Sequence, residues 1–428
     1  MVGDSAERTA DVGAANAAKD RATAASGAKH PFLALAIGAV VAAVLGWFGF
    51  QRITNVPPIV LVRAPTDLEM LYAERARFAG AWDPATAEIG NRHLPRFPVS
   101  EWSVRQLVPI DALNQYDPQT YVRRPPNLNL PNPWKEHARG IFRVRTNSLG
   151  MRDVAEPSAV KPDLRILVTG DSHSEGVCNT FETYTKVLQL FLSKAHRGKR
   201  IEALNAAKGS FTFYSYLGTL EKFLYLEPDV FLIGVYGPND FEEILPLFHF
   251  FEGTPRKPGA AGYWNLIEKA LAIDTAWLAQ DGLSLKFFQQ YPAEIPVALA
   301  AAQAALLDVE ELCRANGILL GVVYIPGFFD TVRRSGASEP ELDALSARLY
   351  DALELAPGDV GVHDRMADEL LAYLAQRKIP VLDARQLFAG QKRRFFWRED
   401  HHIDVDAQRA IGAALVPFVE AMSPPGLR

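Results

Sequence analysis

The chain has 428 residues, of which 48% are apolar and 22% charged, with a formal net charge of -5. That length holds about two or three domains, or one large α/β domain with extensions, and the apolar content is enough for a real core. The mild acidity leaves no basic footprint and argues against nucleic acid as a partner.

Residues 1–30 are rich in Ala, Gly, Ser and Thr with scattered charge and no apolar period, which predicts a disordered tail. The next twenty residues, PFLALAIGAVVAAVLGWFGF at 31–50, pass without a charge, about the length that crosses a bilayer as one helix. A buried core helix seldom runs so long without a polar face. A cleaved signal peptide is the stronger rival, but the run exceeds the usual apolar region and no small-x-small site follows it before Gln51-Arg52. The expectation is an uncleaved transmembrane helix. Lys19, Arg21 and Lys29 before the run, against Arg52 and Arg63 after it, put the N-terminus in the cytoplasm and the rest in the periplasm or outside the cell.

Residues 51–160 read as a Pro-rich, irregular arm wrapped on the main domain. Its run YVRRPPNLNLPNPW forms neither a regular helix nor a central strand, because successive prolines fix φ and remove donors. From 161 to 428 short apolar runs alternate with amphipathic helices, the pattern of βαβ units and a parallel sheet. Strands are predicted at 165–168, 201–204, 230–236, 318–324 and 380–382, with helices at 182–196, 214–226, 295–316, 339–355 and 362–377. An aromatic-rich insertion at about 247–293, with FHFFEG and GYWNLIEKAL, is too long for an ordinary connection. It reads equally as a lid or pocket wall and as a packed excursion away from substrate.

Ligands of such a sheet bind beyond the C-terminal ends of the strands. The first strand runs into Gly170-Asp171-Ser172-His173, the second into Asn205-Ala-Ala-Lys-Gly209, and the third into Gly237-Pro-Asn239-Asp240; the last segment offers Asp400-His401-His402. A serine on a sharp turn after a buried strand exposes its hydroxyl beside backbone N–H groups, and the glycine before it tolerates the turn. A histidine is the base that activates such a hydroxyl, and an aspartate holds the imidazole in its productive tautomer.

In order and spacing these blocks resemble the SGNH hydrolases, the GDSL esterase and lipase family, over roughly 143–418. The stretch Arg145-Thr-Asn-Ser-Leu-Gly-Met-Arg152 is similar to the lead-in of many bacterial members. The resemblance implies a three-layer α/β/α flavodoxin-like fold and hydrolysis or transfer of acyl esters. It implies Ser172 as nucleophile, His402 as base, Asp400 as acid, and an oxyanion hole made by the N–H groups of Ser172 and Gly209 with the Asn239 amide. Glu399, three residues before the histidine, is the reserve acid, and His401 the alternative base. No metal or organic cofactor is implied.

The expected substrate is an ester-bearing cell-envelope glycan, with O-acetyl as a plausible acyl unit and either water or a sugar hydroxyl as acceptor. A catalytically inactive binding or assembly component of envelope polysaccharide machinery and a lipase acting on membrane lipid are the alternatives.

Plainer roles exist for several of these residues. Asn239-Asp240 also fits a cap for the following helix, Gly209 an ordinary turn, and Asp171 a tie for its own loop. His173 and Glu175 fit substrate contact or exposed loop polarity, and Lys208 fits a solvated lysine or a bias toward acidic substrates. Lys392-Arg393-Arg394 reads as a solvated face. Cys178 and Cys313 are able to pair outside the cytoplasm, though packing as small buried hydrophobes is the default.

Overall fold

The computed structural model describes residues 93–108, 110–257, 276–335, 340–389, 395–398 and 400–428, with a few more in 70–76 and 266–273. The tail 1–30, the apolar run 31–50, Glu399 and Lys392-Arg393-Arg394 lie outside the described residues. Among the described residues no helix is long and apolar enough to cross a membrane.

Before the main sheet the chain forms two small antiparallel pairs. Strand β1 (Gln115–Asp117) pairs with β2 (Tyr121–Arg123), and β3 (Asn129–Pro133) with β4 (Ile141–Arg145). Prolines are tolerated in β3 because a two-stranded ribbon is all edge. Tyr121, Val122 and Met151 are buried in the same apolar cluster as the main sheet, so this stretch shares the core.

The main sheet holds five parallel strands: β5 (Leu164–Gly170), β6 (Ile201–Asn205), β7 (Val230–Tyr236), β8 (Leu319–Ile325) and β9 (Val381–Asp383), in spatial order β6-β5-β7-β8-β9. Both faces of β5 and β7 are buried along their whole length, as strands covered on two sides must be. The principal helices are α1 (Ser172–Glu175), α2 (Tyr184–Ala195), α3 (Phe213–Phe223), α4 (Gly237–Glu243), α5 (Leu245–Glu252), α6 (Ala276–Gln290), α7 (Glu294–Ala315), α8 (Val362–Gln376) and α9 (Val405–Met422). By their contacts α2 and α9 form one layer and α3, α7 and α8 the other. The result is a three-layer sandwich with flavodoxin-like strand order, whose switch point lies between β5 and β7. Each strand begins and ends within two residues of its predicted bounds, because an apolar run flanked by Gly, Pro or Asp leaves few choices. Gly317 ends α7's descent at φ +68°, where a side chain would be strained.

The described part of the insertion is packed. Phe251 of α5 meets Phe97 edge-on at 4.9 Å and Tyr214 at 5.3 Å, and His249 contacts Glu294 at 2.7 Å. Most of GYWNLIEKAL lies outside the described residues. Cys178 and Cys313 are both free and buried, so they do not pair.

Candidate active site

The turn after β5 is built by close approach. A Cβ at Gly170 would sit 2.1 Å from Ser174 Oγ and 2.8 Å from the Gly234 carbonyl oxygen, so only glycine lets β5 pass into α1 here. Asp171 caps α1: its carboxylate accepts from the N–H of His173 at 2.9 Å. It is thus the loop tie expected from sequence. Burial raises its pKa above the ordinary carboxylate range, against the opposing pull of His402.

The second pair comes from the loop before α9. His402 Nδ1 and Asp400 Oδ1 are hydrogen-bonded, and the His402 N–H donates to the same oxygen at 2.8 Å. That bond puts the Nδ1 proton toward the carboxylate and leaves the lone pair on Nε2, which is buried with no hydrogen-bond partner. Burial works to lower the His402 pKa, but the Asp400 carboxylate outweighs it, and the pKa stands above 6.5. Asp400 is held down to about 2, burial being overcome by the same pair. His401 Nδ1 lies 3.9 Å from Asp400, and burial drives its pKa down to about 3. The loop is closed by a bridge between Phe396 and Ile403, and Asp404 caps α9 by accepting from Ala407 N–H at 2.8 Å.

His173 joins the two pieces. Its Nδ1 accepts from the Ile403 N–H at 3.4 Å, its carbonyl accepts from Gln408 Nε2 at 2.8 Å, and its ring centroid lies 4.7 Å from that of His402. It stacks on Tyr236 at 3.5 Å, and the Tyr236 hydroxyl donates to Asp281 of α6 at 2.7 Å. His173 is therefore wholly buried, which corrects its reading as exposed loop polarity. Because Nε2 of His402 has no partner, the Ser172 hydroxyl and His402 are not hydrogen-bonded in this structure.

The oxyanion side departs most from expectation. Gly209 does lie against the nucleophile, since a Cβ there would stand 3.4 Å from Ser172 Cβ. Its N–H, however, donates to Glu175 Oε2 at 2.8 Å and is taken. Glu175, too, is buried rather than exposed. Arg124, just past β2, grips it with both arms of the guanidinium, Nε to Oε1 at 2.7 Å and Nη2 to Oε2 at 2.9 Å. Burial alone would raise the Glu175 pKa, but Arg124 carries it down to about 2. Lys208 is also buried, contrary to its reading as a solvated lysine, and donates to the Gly209 carbonyl. Burial and then Arg124 push its pKa down to about 7.

Asn239 lies inside α4, not at its cap, because the helix already starts at Gly237. Its amide donates to Glu243 Oε1 at 3.3 Å, and its Oδ1 is buried without a partner. Asp240 accepts from the Tyr236 N–H at 2.9 Å and the Tyr216 hydroxyl at 2.7 Å, so it ties the helix start as a cap would. Burial raises the Glu243 carboxyl to about 8.

The structure thus brings Ser172, Gly209 and the pair Asp400–His402 to the C-terminal edge of the sheet. Arg124, Tyr236 and Asp281 were missed from sequence: each is a single residue in a Pro-rich, apolar or helical stretch, with no motif around it.

No protein-family model and no curated protein matches the chain. Solved structures similar to it include that of TesA, at 15% identity and TM-score 0.33, covering 60% of this chain and 99% of that one. A putative lipolytic protein of the G-D-S-L family from Desulfitobacterium hafniense DCB-2 is similar at 14% and 0.32, covering 59% of this chain and 98% of its own. An acetyl xylan esterase, AlAXEase, is similar at 12% and 0.35, covering 60% and 100%.

Proposed function

We propose that the chain is an SGNH-type serine hydrolase that cleaves acyl esters through an acyl-enzyme on Ser172. The observation that carries this reading is the His402 imidazole, tautomer-locked by Asp400, with a buried, unpartnered Nε2 next to the turn that bears Ser172. An orphaned buried nitrogen costs about 1–3 kcal/mol and persists where it has chemistry to do.

In the proposed cycle Ser172 Oγ attacks the ester carbonyl while its proton passes to His402 Nε2. The C–O bond to the leaving alcohol then breaks as His402 returns that proton to the alkoxide. Water or a sugar hydroxyl next attacks the acyl-enzyme, with His402 again accepting the proton and passing it to Ser172. Asp400 stays ionised throughout and stabilises the imidazolium. The Ser172–His402 contact closes on substrate binding, as such contacts often do. The tetrahedral oxyanion is met by the Ser172 N–H and the Asn239 amide, and by Gly209 once Glu175 releases it.

The finer reading is a membrane-anchored esterase or O-acyltransferase working on envelope glycans at the outer face of a membrane. It is supported by the uncharged run at 31–50 and the basic residues before it. The engagement of the Gly209 N–H by Glu175 favours a second reading, a binding or assembly component that keeps the fold with an incomplete oxyanion hole. Hydrolysis of p-nitrophenyl acetate and labelling by a fluorophosphonate separate the two. The hydrolase reading expects both in the natural chain and neither in Ser172→Ala; activity undiminished in that variant, or no labelling of folded protein, overturns it.

A further inference from the structure

Three imidazoles crowd the site, and the proposed cycle uses one. We propose that His173, His401 and His402 form a binding site for a transition-metal dication of the zinc class, and that its occupation switches the hydrolase off. The switching half rests on the proposed function; the binding half does not.

One ring nitrogen from each histidine lies within 4.8 Å of the other two. Zinc bonds imidazole at about 2.0–2.1 Å, so tetrahedral geometry needs the nitrogens to close by up to about 1.5 Å. The movement falls on His401 and His402, which sit in the short loop that the Phe396–Ile403 bridge closes just before α9. His173 is held by its stack on Tyr236 and by the Gln408 amide on its carbonyl.

Nε2 of His173 and Nε2 of His402 are both buried without a partner. Two orphaned ring nitrogens on neighbouring residues are what a missing shared ligand leaves behind. Asp400 completes the arrangement: a carboxylate on the Nδ1–H of a ligating histidine fixes the tautomer and raises the basicity of Nε2. For His173 to ligate through Nε2, its proton must move to Nδ1, which gives up only the long 3.4 Å contact from Ile403. An all-imidazole set with one nearby carboxylate selects zinc, nickel or copper over magnesium and calcium. Metal on His402 Nε2 removes the lone pair that would take the Ser172 proton, so catalysis and occupation exclude each other.

The test titrates the purified full-length chain with Co²⁺, follows the visible absorption of tetrahedral cobalt, and displaces it with Zn²⁺. In parallel, p-nitrophenyl acetate hydrolysis is measured with Zn²⁺ and again after EDTA. The expected result is one cobalt per chain, inhibition by zinc, and recovery with EDTA. His401→Gln, scored by the cobalt spectrum, should weaken metal binding at least about 10-fold and keep the far-ultraviolet circular dichroism. His173→Asn, scored by the cobalt spectrum alone, should weaken binding as well. No cobalt spectrum, or one unchanged in both variants, overturns the inference. Ser172-dependent hydrolysis indifferent to zinc overturns the switch. Cobalt bound through these histidines in a chain that never labels at Ser172 sinks the hydrolase reading and leaves the metal site standing.

Discussion

The Arg124–Glu175 pair offers the sharpest test of how the site is held. Replacing Arg124 by Met keeps the stem's packing and leaves a carboxylate that is 5% exposed with no bidentate partner. Against burial, Arg124 with smaller help from Arg152 and Lys208 takes Glu175 from 4.5 to about 2, and at 1.36 kcal/mol per unit that is roughly 3 kcal/mol, within the 3–5 kcal/mol typical of a buried pair broken on one side. Because the folded pKa is depressed, this stability is present above pH 4.5 and is lost as pH falls toward 2. Urea unfolding of the natural chain, Arg124→Met, Glu175→Gln and the double variant closes a cycle. The expected outcome is a loss of about 3 kcal/mol at pH 7 in Arg124→Met, much of it recovered when Glu175 is also neutralised. A loss under about 0.5 kcal/mol, or two losses that simply add, would refute the reasoning, because it would mean that Glu175 is solvated or holds its charge by other means.

Three further outcomes follow from the geometry. Asp400→Asn should lower turnover of activated esters by about 10⁴-fold, because the imidazole then rests in the wrong tautomer. In the natural chain, activity should climb as pH rises through a pKa above 6.5, since the base must be neutral and Asp400 raises its pKa; a profile flat from pH 6 to 9 contradicts the assignment. Gly218→Ala would place a methyl 2.0 Å from the Gln119 carbonyl oxygen, a backbone atom that cannot swing aside. It should destabilise the chain by about 1–3 kcal/mol in urea and free 110–125 for limited proteolysis.

The sheet was legible because strands buried on both faces must be continuous apolar runs, and VFLIGVY admits no other reading once Pro228-Asp229 precedes it. Ser172, Gly209 and Asp400-His402 were legible because each sits where a strand or loop must deliver its chemistry. The ionic layer beneath them was not. Arg124 and Glu175 lie 51 residues apart, and a lone arginine among prolines reads as solvated until a fold places a carboxylate on it. The burial of Lys208 escaped for the same reason: charge predicts exposure, and only the packing of Arg124 and Glu175 around Gly209 reverses it. The three-histidine cluster was hidden by distance, since His173 and His401-His402 have no ligand spacing along the chain.

The position of Arg124 also bears on biogenesis. During synthesis the stretch carrying Tyr121, Val122 and Arg124 emerges well ahead of Glu175, Gly218 and Phe251, against which it is finally packed. Until Glu175, Gly218 and Phe251 have followed, these side chains lack the partners that complete their packing. Folding cannot proceed simply from front to back: the nucleophile turn gains its ionic support only when a segment made earlier is recruited onto a sheet made later.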